Sequence, residues 1–426
     1  MTREFSFLHI ADIHLGRAFS DISLYNENMS LCKDACEKAF NKIVETAIKK
    51  SVNFVLIAGD SFDSDEHDLH TKLVFKKNLE RLADNGISSY VICGNHDPIN
   101  MYMDYPSYFK FDEKYKDLIH ITGVTTKTNS EDFLYKNLAK IHSVSFQTDT
   151  MESPCNLLTE RDTEFFNIGL IHCDLNKTDT KYAPCSVQDM KELGYDYYAL
   201  GHIHLPSIIE DKFVYSGTIQ GRTRKETDEH GCYYIKVKDN DILEKEFIKT
   251  DCVRFIDLDI NLDDEQNSCE NKFEIFEKIN NKINELPQEV ELYLIQINLK
   301  GVTPASTELK ETANILEEYT TEYSKANSLV VYEINDFTTP EIDEKELLED
   351  DGVIGILAKN LNDDFNKNID SIYDEIKEKY KKIYKSFGID KTSEEELFNS
   401  LTEDKETIMA QIKSELKTLC SEIYKN

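Results

Sequence analysis

Five short polar motifs each stand directly after a short apolar run, and this repeated adjacency constrains the fold more than any other feature of the chain. Asp12-Ile13-His14 follows Phe5–Ile10, and Gly59-Asp60-Ser61-Phe62-Asp63 follows Phe54–Ala58. Gly94-Asn95-His96-Asp97 follows Tyr90–Cys93, His172 follows Phe165–Ile171, and Gly201-His202-Ile203-His204 follows Tyr197–Leu200. Runs of this length, rich in Ile, Val, Leu and Phe, read as strands buried on both faces. Residues just past the carboxyl ends of such strands share one rim of a sheet, where α/β folds build their sites. Helical patterns near 28–50, 68–84 and 186–193 separate the runs, and Ile208–Tyr215 and Cys232–Val237 add two more strands. Residues 1–250 are therefore expected to form one α/β domain.

The rest of the chain changes character. Ile256, Leu258 and Ile260 alternate, and Phe273, Phe276, Ile279, Ile283 and Leu286 follow helical spacing. Leu292–Leu299 alternates again, Leu309, Ile315, Leu316, Tyr319 and Tyr323 give a second helix, and Leu329–Ile334 a third strand. That order, β-α-β-α-β, predicts a small α+β cap domain over 251–340. Beyond it, Ile369, Ile372, Tyr373, Ile376, Tyr380, Ile383 and Phe387 recur at three- and four-residue steps. Ser393 with Glu396 makes a capping-box signature, and Leu401, Ile408, Ile412, Leu416, Leu419 and Ile423 continue the period. Residues 341–426 therefore read as a helical C-terminal tail.

Composition excludes several classes. Apolar residues make up 40% of the 426, which supports a packed core and rules out wholesale disorder. No stretch approaches the ~20 apolar residues of a membrane span. Met1–Phe5 run into a strand pattern without an apolar leader, so no signal peptide is expected. The ten cysteines are scattered with no CxxC pair, which reads as reduced thiols of a cytoplasmic protein. The net charge is −32, and residues 251–426 hold −21 of it. Such a chain should not bind phosphate backbones non-specifically, so contact with nucleic acid would need local positive charge from metal ions or a partner.

The chemistry lies in the motif residues. Two aspartates (12 and 60), one asparagine (95) and four histidines (14, 172, 202 and 204) are oxygen and nitrogen donors. They suit manganese, iron or zinc better than calcium or magnesium alone. A carboxylate can bridge two metals about 3.5–4 Å apart, and such a pair binds phosphate and activates a water for in-line attack. Each fragment alone carries little: Asp-x-His arises by chance, a histidine after a strand is commonly structural, and Gly-Asn is also a turn signal. Five of the chain's eleven histidines fall in these motifs, however, and the joint pattern reads as a site.

Taken in order, the motifs resemble those of the calcineurin-like metallophosphoesterases. Within that superfamily the chain is similar to the SbcD-type DNA-repair exonucleases, above all their YhaO-like branch. The opening Phe7-Leu8-His9-Ile10-Ala11-Asp12-Ile13-His14-Leu15-Gly16 carries this resemblance. So does Ser64-Asp65 where the superfamily's protein phosphatases have Arg-Gly, and so does Tyr215-Ser216-Gly217-Thr218-Ile219-Gln220-Gly221-Arg222 with Glu226-Thr227 and Gly231-Cys232. The likeness is specific over roughly 1–250, weaker to 335 and only architectural after that.

The fold so implied is an α/β sandwich of two mixed sheets flanked by helices. The activity implied is two-metal phosphodiester hydrolysis on DNA, with a small-molecule phosphoesterase or a vestigial site as the competing readings. By the same resemblance Asp12, His14 and His204 would hold one metal, Asn95, His172 and His202 the second, and Asp60 both. Manganese is the expected metal, with magnesium, iron and zinc as alternatives. His96 would be catalytic, contacting the phosphate and assisting the leaving oxygen. Asp63 stands where archaeal and eukaryotic members carry a second active-site histidine. His67 or His70 could lean in from the loop, but the reading as exposed helix-start histidines outweighs it. Arg222, Arg224 and Lys225, like Arg17, read equally as phosphate-positioning groups and as solvated loop. The partners implied are DNA and an SMC-like ATPase of the SbcC/YhaN type docked on the C-terminal helices, with a homodimer also conceivable and no membrane. The apolar stripes of those helices fit packing on the chain's own first domain as well.

Overall fold

A computed structural model describes residues 4–17, 19, 29–63, 69–99, 110–125, 131–177, 179–263, 269–311, 317, 329–339 and 378. The helical tail expected over 341–426 and most of the helix expected around 309–323 lie outside the described residues. In chain order the elements are β1 (Glu4–Ile10), α1 (Met29–Lys50), β2 (Phe54–Ala58), α2 (Leu69–Asp84), β3 (Ser88–Ile92), β4 (Ile119–Ile121), β5 (Glu131–Tyr135), β6 (Ala139–Val144) and β7 (Phe166–His172). There follow β8 (Asp174–Leu175), β9 (Pro184–Cys185), α3 (Val187–Leu193), β10 (Tyr197–Gly201), β11 (Ser207–Ile209), β12 (Phe213–Tyr215), β13 (Gly231–Lys238) and β14 (Asp241–Lys249). The last are β15 (Val253–Asn261), α4 (Lys272–Asn284), β16 (Leu292–Val302), α5 (Ser306–Glu311) and β17 (Leu329–Thr339). Two compact units divide the chain, one drawn from Met1–Ile256 and Gln288–Leu294, the other from Asp257–Pro287 and Ile295–Asn426.

The first unit is a sandwich of two mixed six-stranded sheets. One sheet runs β14-β13-β1-β2-β3-β4 and the other β11-β12-β10-β7-β6-β5. Strands β1 to β4 are parallel, with β13 antiparallel on β1. In the second sheet β6, β7, β10 and β12 are parallel, and β5 and β11 are antiparallel edges. The two-residue period of a strand explains the burial on both faces. Phe5, Phe7, Phe54, Leu56 and Ala58 face the second sheet and meet Ile168, Leu170, Tyr197 and Ala199. Leu8, Ile10, Val55 and Ile57 face outward onto Cys36, Phe40, Ile43, Val44 and Ala47 of α1 and Phe75 and Leu79 of α2. The second sheet is covered by Met190 of α3 and by Phe146 and Tyr195. Inside the sandwich the buried His9 spans both sheets, with Nδ1 3.0 Å from the Tyr197 hydroxyl and Nε2 3.2 Å from the Leu200 carbonyl. Burial pushes its pKa down to about 3, so the ring is neutral.

The second unit includes the three-stranded order β15-β16-β17, with Ile275, Phe276, Ile279 and Ile283 of α4 buried. Asn271 caps α4, its side chain accepting from the N–H groups of Phe273 and Glu274.

Sequence and structure part at the sheet edges. Strands β4, β5 and β14 carry no clear apolar run, and the expected strand over 208–215 is two strands, β11 and β12, joined by a turn at Glu210 and Asp211, which both have positive φ. These elements, β12 apart, are the four edges of the two sheets. An edge strand buries little and is often charged, which erases the pattern that marks a central strand. Nine cysteines are free, eight of them buried, among the described residues. No helix among those residues is long and apolar enough to cross a membrane.

Candidate active site

Four of the five motifs meet at one rim because β1, β2, β7 and β10 end there, and the fifth joins them from the end of β3. The backbone ties the loops together. Asp12 N–H donates to the Gly59 carbonyl at 3.1 Å and His14 N–H to the Asp60 carbonyl at 3.0 Å. His202 N–H donates to the Asp12 carboxylate at 3.0 Å, and the Thr218 hydroxyl to the Asp12 carbonyl at 2.7 Å. Asp12, His14, Asp60 and His202 all sit at positive φ (49°, 44°, 50° and 99°), a costly backbone for such residues. Strain of this kind persists only where the surroundings over-determine it, and here it aims four side chains inward.

Glycine is required where the loops touch. A Cβ on Gly94 would lie 2.1 Å from Asp60 Oδ1, and one on Gly201 would lie 2.0 Å from the Ala58 carbonyl oxygen. Buried Asp97 pins the same crossing. Its Oδ1 accepts from Gly94 N at 2.7 Å and Asp60 N at 3.2 Å, and its Oδ2 from Ser61 N at 2.7 Å. Burial, then the charge of Asp60, raises the Asp97 pKa to about 7.

Donor atoms converge in two groups. Asp12, His14 and His204 form one set able to hold a metal ion, and Asp60, His172 and His202 the other. His14 Nε2 and His204 Nε2 stand 3.2 Å apart. Asn95 Oδ1 completes the second set, 3.0 Å from His172 Nε2 and 3.1 Å from His202 Nδ1. His172 Nδ1 donates to the Ala58 carbonyl at 2.8 Å, which turns Nε2 toward the site. Asp60 lies between the sets, its Oδ2 3.3 Å from His172 Nε2 and 3.8 Å from His14 Nε2. The seven residues named from the sequence as ligands are thus all gathered, and five of them, Asp12, His14, Asp60, Asn95 and His172, are buried.

The electrostatics suit cations. Burial would raise Asp60, but His172, through its charge and a hydrogen bond, holds it well below the usual carboxylate range. Burial lowers His14 to about 3, helped by Arg222, and lowers His202 to about 4, helped by His172. Both are neutral imidazoles, the form that ligates metals. His172 goes the other way. Burial works against its charge, yet Asp60 raises it to about 9. The neutral imidazoles of His14 and His202, the Asn95 amide oxygen and the carboxylates fit divalent ions of the manganese, iron or zinc kind, and a bound ion would take the place of the proton on His172.

His96 sits at the margin. Its N–H donates to Asp60 Oδ1 at 2.9 Å, and its ring lies 5.2 Å from that of His14. Asp63 Oδ1 is 3.6 Å from His96 Nδ1, and Asp63 Oδ2 is 3.0 Å from Arg17 Nη1. Asp63 therefore does not stand aside as a mere replacement for a histidine, and it raises the pKa of His96. His70 is exposed and pairs with Glu37 of α1 at 3.1 Å, and His67 lies outside the described residues. The basic cluster at 222–225 divides. Arg222 is 1% exposed, with its N–H on Glu226 Oε2 at 2.7 Å, so it is neither a solvated loop residue nor an open phosphate contact. Lys225 is exposed and Arg224 half-buried. Sequence reasoning assigned no role to Asp97, Asp174 or Glu226. Their only signal was position: Asp97 ends the third motif, Asp174 is two residues past His172, and Glu226 lies in the segment after Arg222.

Residues 5–206 match the family model of the calcineurin-like phosphoesterases. Residues 5–206 thus form a calcineurin-like phosphoesterase domain, and it contains two groups of residues that could each hold a metal ion. Among its relatives is the metallophosphoesterase YhaO of Bacillus subtilis strain 168, 28% identical over 253 residues. That match spans 57% of this chain and 60% of YhaO. Another is the DNA double-strand break repair protein Mre11 of Methanocaldococcus jannaschii, 26% identical over 287 residues, covering 63% of this chain and 73% of that protein. A solved dimetal phosphatase from Danio rerio aligns at 10% identity with a TM-score of 0.34, over 58% of this chain and 99% of that one.

Proposed function

We propose that this protein is a two-metal phosphodiesterase that cleaves DNA, as an exonuclease with single-strand endonuclease activity as a second form. The observation that supports this most is Asp60, a buried carboxylate facing one imidazole from each donor set. In this reading Asp12, His14 and His204 would hold the first metal, Asn95, His172 and His202 the second, and Asp60 would serve both. Two such cations, manganese best suited, would supply Lewis acidity toward the phosphate diester and its attacking water. The chain's own residues do the rest. The turns pinned by Asp97 hold the ligands before any ion arrives. Asp63 favours the protonated form of His96, from which a proton can pass to the departing oxygen. Relatives named for DNA double-strand break repair favour DNA as substrate. The charge of −32 favours a smaller phosphodiester. A cytoplasmic location, an SMC-like ATPase bound through residues 341–426, and a division at 1–250, 251–340 and 341–426 belong to the same proposal.

Purified protein, manganese, end-labelled DNA and bis(p-nitrophenyl) phosphate decide between these readings. Degradation of both substrates is expected. Cleavage of the small diester alone would make the protein a small-molecule phosphoesterase, and cleavage of neither would leave its site vestigial.

A further inference from the structure

His202 and His204 are two residues apart, and they turn opposite ring nitrogens toward the site. His204 presents Nε2, 3.2 Å from His14 Nε2 in the first donor set. His202 presents Nδ1, 3.1 Å from Asn95 Oδ1 in the second. The remaining nitrogen of each ring meets a carboxylate that is not among the seven ligands. His204 Nδ1 is 2.5 Å from Glu226 Oε1, and His202 Nε2 is 3.3 Å from Asp174 Oδ2.

Both carboxylates are buried and fastened. Glu226 is 7% exposed, and its Oε2 accepts from the N–H groups of Arg222 at 2.7 Å and Thr223 at 3.2 Å. Asp174 is 3% exposed; its Oδ2 accepts from the Thr180 hydroxyl at 2.8 Å, and its Oδ1 lies 3.1 Å from Lys177 Nζ. A neutral imidazole carries one N–H. The nitrogen that donates to a carboxylate leaves the other with the lone pair, and the carboxylate also makes that lone pair more basic.

We infer that Glu226 and Asp174 are positioning residues that impose opposite tautomers on neighbouring histidines: Glu226 holds His204 as the Nδ1–H form for the first metal, and Asp174 holds His202 as the Nε2–H form for the second. This rests on the two-metal reading above. It explains why two histidines on one short loop, where a strand would point them alike, can serve different ions. His202 at positive φ swings its ring toward Asn95, and the carboxylates keep each ring from flipping.

Two measurements on the full chain test it. In the zinc-loaded wild type, ¹⁵N spectra of the imidazoles should show a protonated Nδ1 on His204 and a protonated Nε2 on His202. The same tautomer on both rings would overturn the inference, and this readout needs no variant to fold. Titration of the metal-free protein with Mn²⁺ supplies the second. Glu226→Ala should weaken one of two binding events by about 10–100-fold and spare the other, and Asp174→Ala should do the converse. Glu226→Gln and Asp174→Asn should recover most of the loss, because an amide oxygen still accepts the N–H. In a His204→Ala background, Glu226→Ala should cost nothing further. Equal weakening of both events by either variant, or a loss that persists without His204, would reduce these residues to structural props and overturn the inference. Wild-type protein that binds two ions while the variants match it refutes the positioning role alone. Wild-type protein that binds fewer than two refutes the two-metal reading as well.

Discussion

Asp60 Oδ2 lies 3.3 Å from His172 Nε2 and 3.8 Å from His14 Nε2, so a single carboxylate faces both donor sets. Asp60→Asn removes the negative charge that would sit between two bound dications. It is expected to weaken both metal sites and to abolish turnover; elemental analysis showing two ions per chain with unchanged activity would contradict this. His96 is different, since it touches Asp60 through its backbone N–H and Asp63 through its ring. His96→Ala should keep its metal content and lose roughly 10²–10⁴-fold in turnover, the span of a general acid–base residue. Loss of metal instead would make His96 a ligand. His9 belongs to folding. Its pKa falls to about 3 in the folded chain from 6.5, so between those values only the unfolded state takes up the proton, and stability drops as pH falls through that window. The slope from this group is about 1.4 kcal/mol per pH unit. Urea unfolding at pH 6.5 and 5.5 should show a smaller loss for His9→Gln than for wild type, and equal losses would mean that His9 does not titrate.

At the scale of elements, the strands with both faces buried were readable and the edges were not. The apolar run Phe54–Ala58 is β2 to the residue, because all five side chains are buried and none is diluted by polar neighbours. Strand β14, Asp-Ile-Leu-Glu-Lys-Glu-Phe-Ile-Lys, has no fully buried residue and shows no such run. The tight meeting of strand ends makes a sharper demand. Gly201→Ala would put a Cβ 2.0 Å from the Ala58 carbonyl, a backbone atom that cannot rotate away. The variant should lose about 1–3 kcal/mol of stability, and its second metal site should weaken as His202 shifts. Denaturant midpoints and Mn²⁺ titration would check both effects, and a variant unchanged in each would mean that the loops can part without cost.

For the whole molecule, charge sets the limits. With −32 overall, and with Arg222 and Arg254 buried rather than open to a phosphate, the chain gains little from counterion release. Each contact with duplex adds about 0.9 to the salt slope of binding, so the protein alone should bind DNA weakly and with a shallow slope. Ile369, Ile376 and Ile383 lie outside the described residues, and their spacing in the sequence would give a helix an apolar face for a partner. Replacing Ile376 and Ile383 by Asp should leave hydrolysis of bis(p-nitrophenyl) phosphate intact while abolishing capture of an SMC-like ATPase and processive DNA degradation. Capture that survives the substitutions would mean that the stripe packs on the chain itself.

The sequence by itself determined the α/β class, the central strands and the seven donor residues now found together, because apolar runs and the glycines that follow them are local signals. It also limited the chemistry, since two aspartates, an asparagine and four histidines admit few other uses. Only the tertiary structure decided which nitrogen of each histidine faces inward, that Asp174, Glu226 and Asp97 fasten the site, that Arg222 is buried, and that Gln288–Leu294 returns to the first unit. Those facts depend on contacts between residues far apart in the chain, such as His14 and His204, separated by 190 positions. No local pattern records such a distance, and a carboxylate that holds a ring leaves the same letter in the sequence as one that faces water.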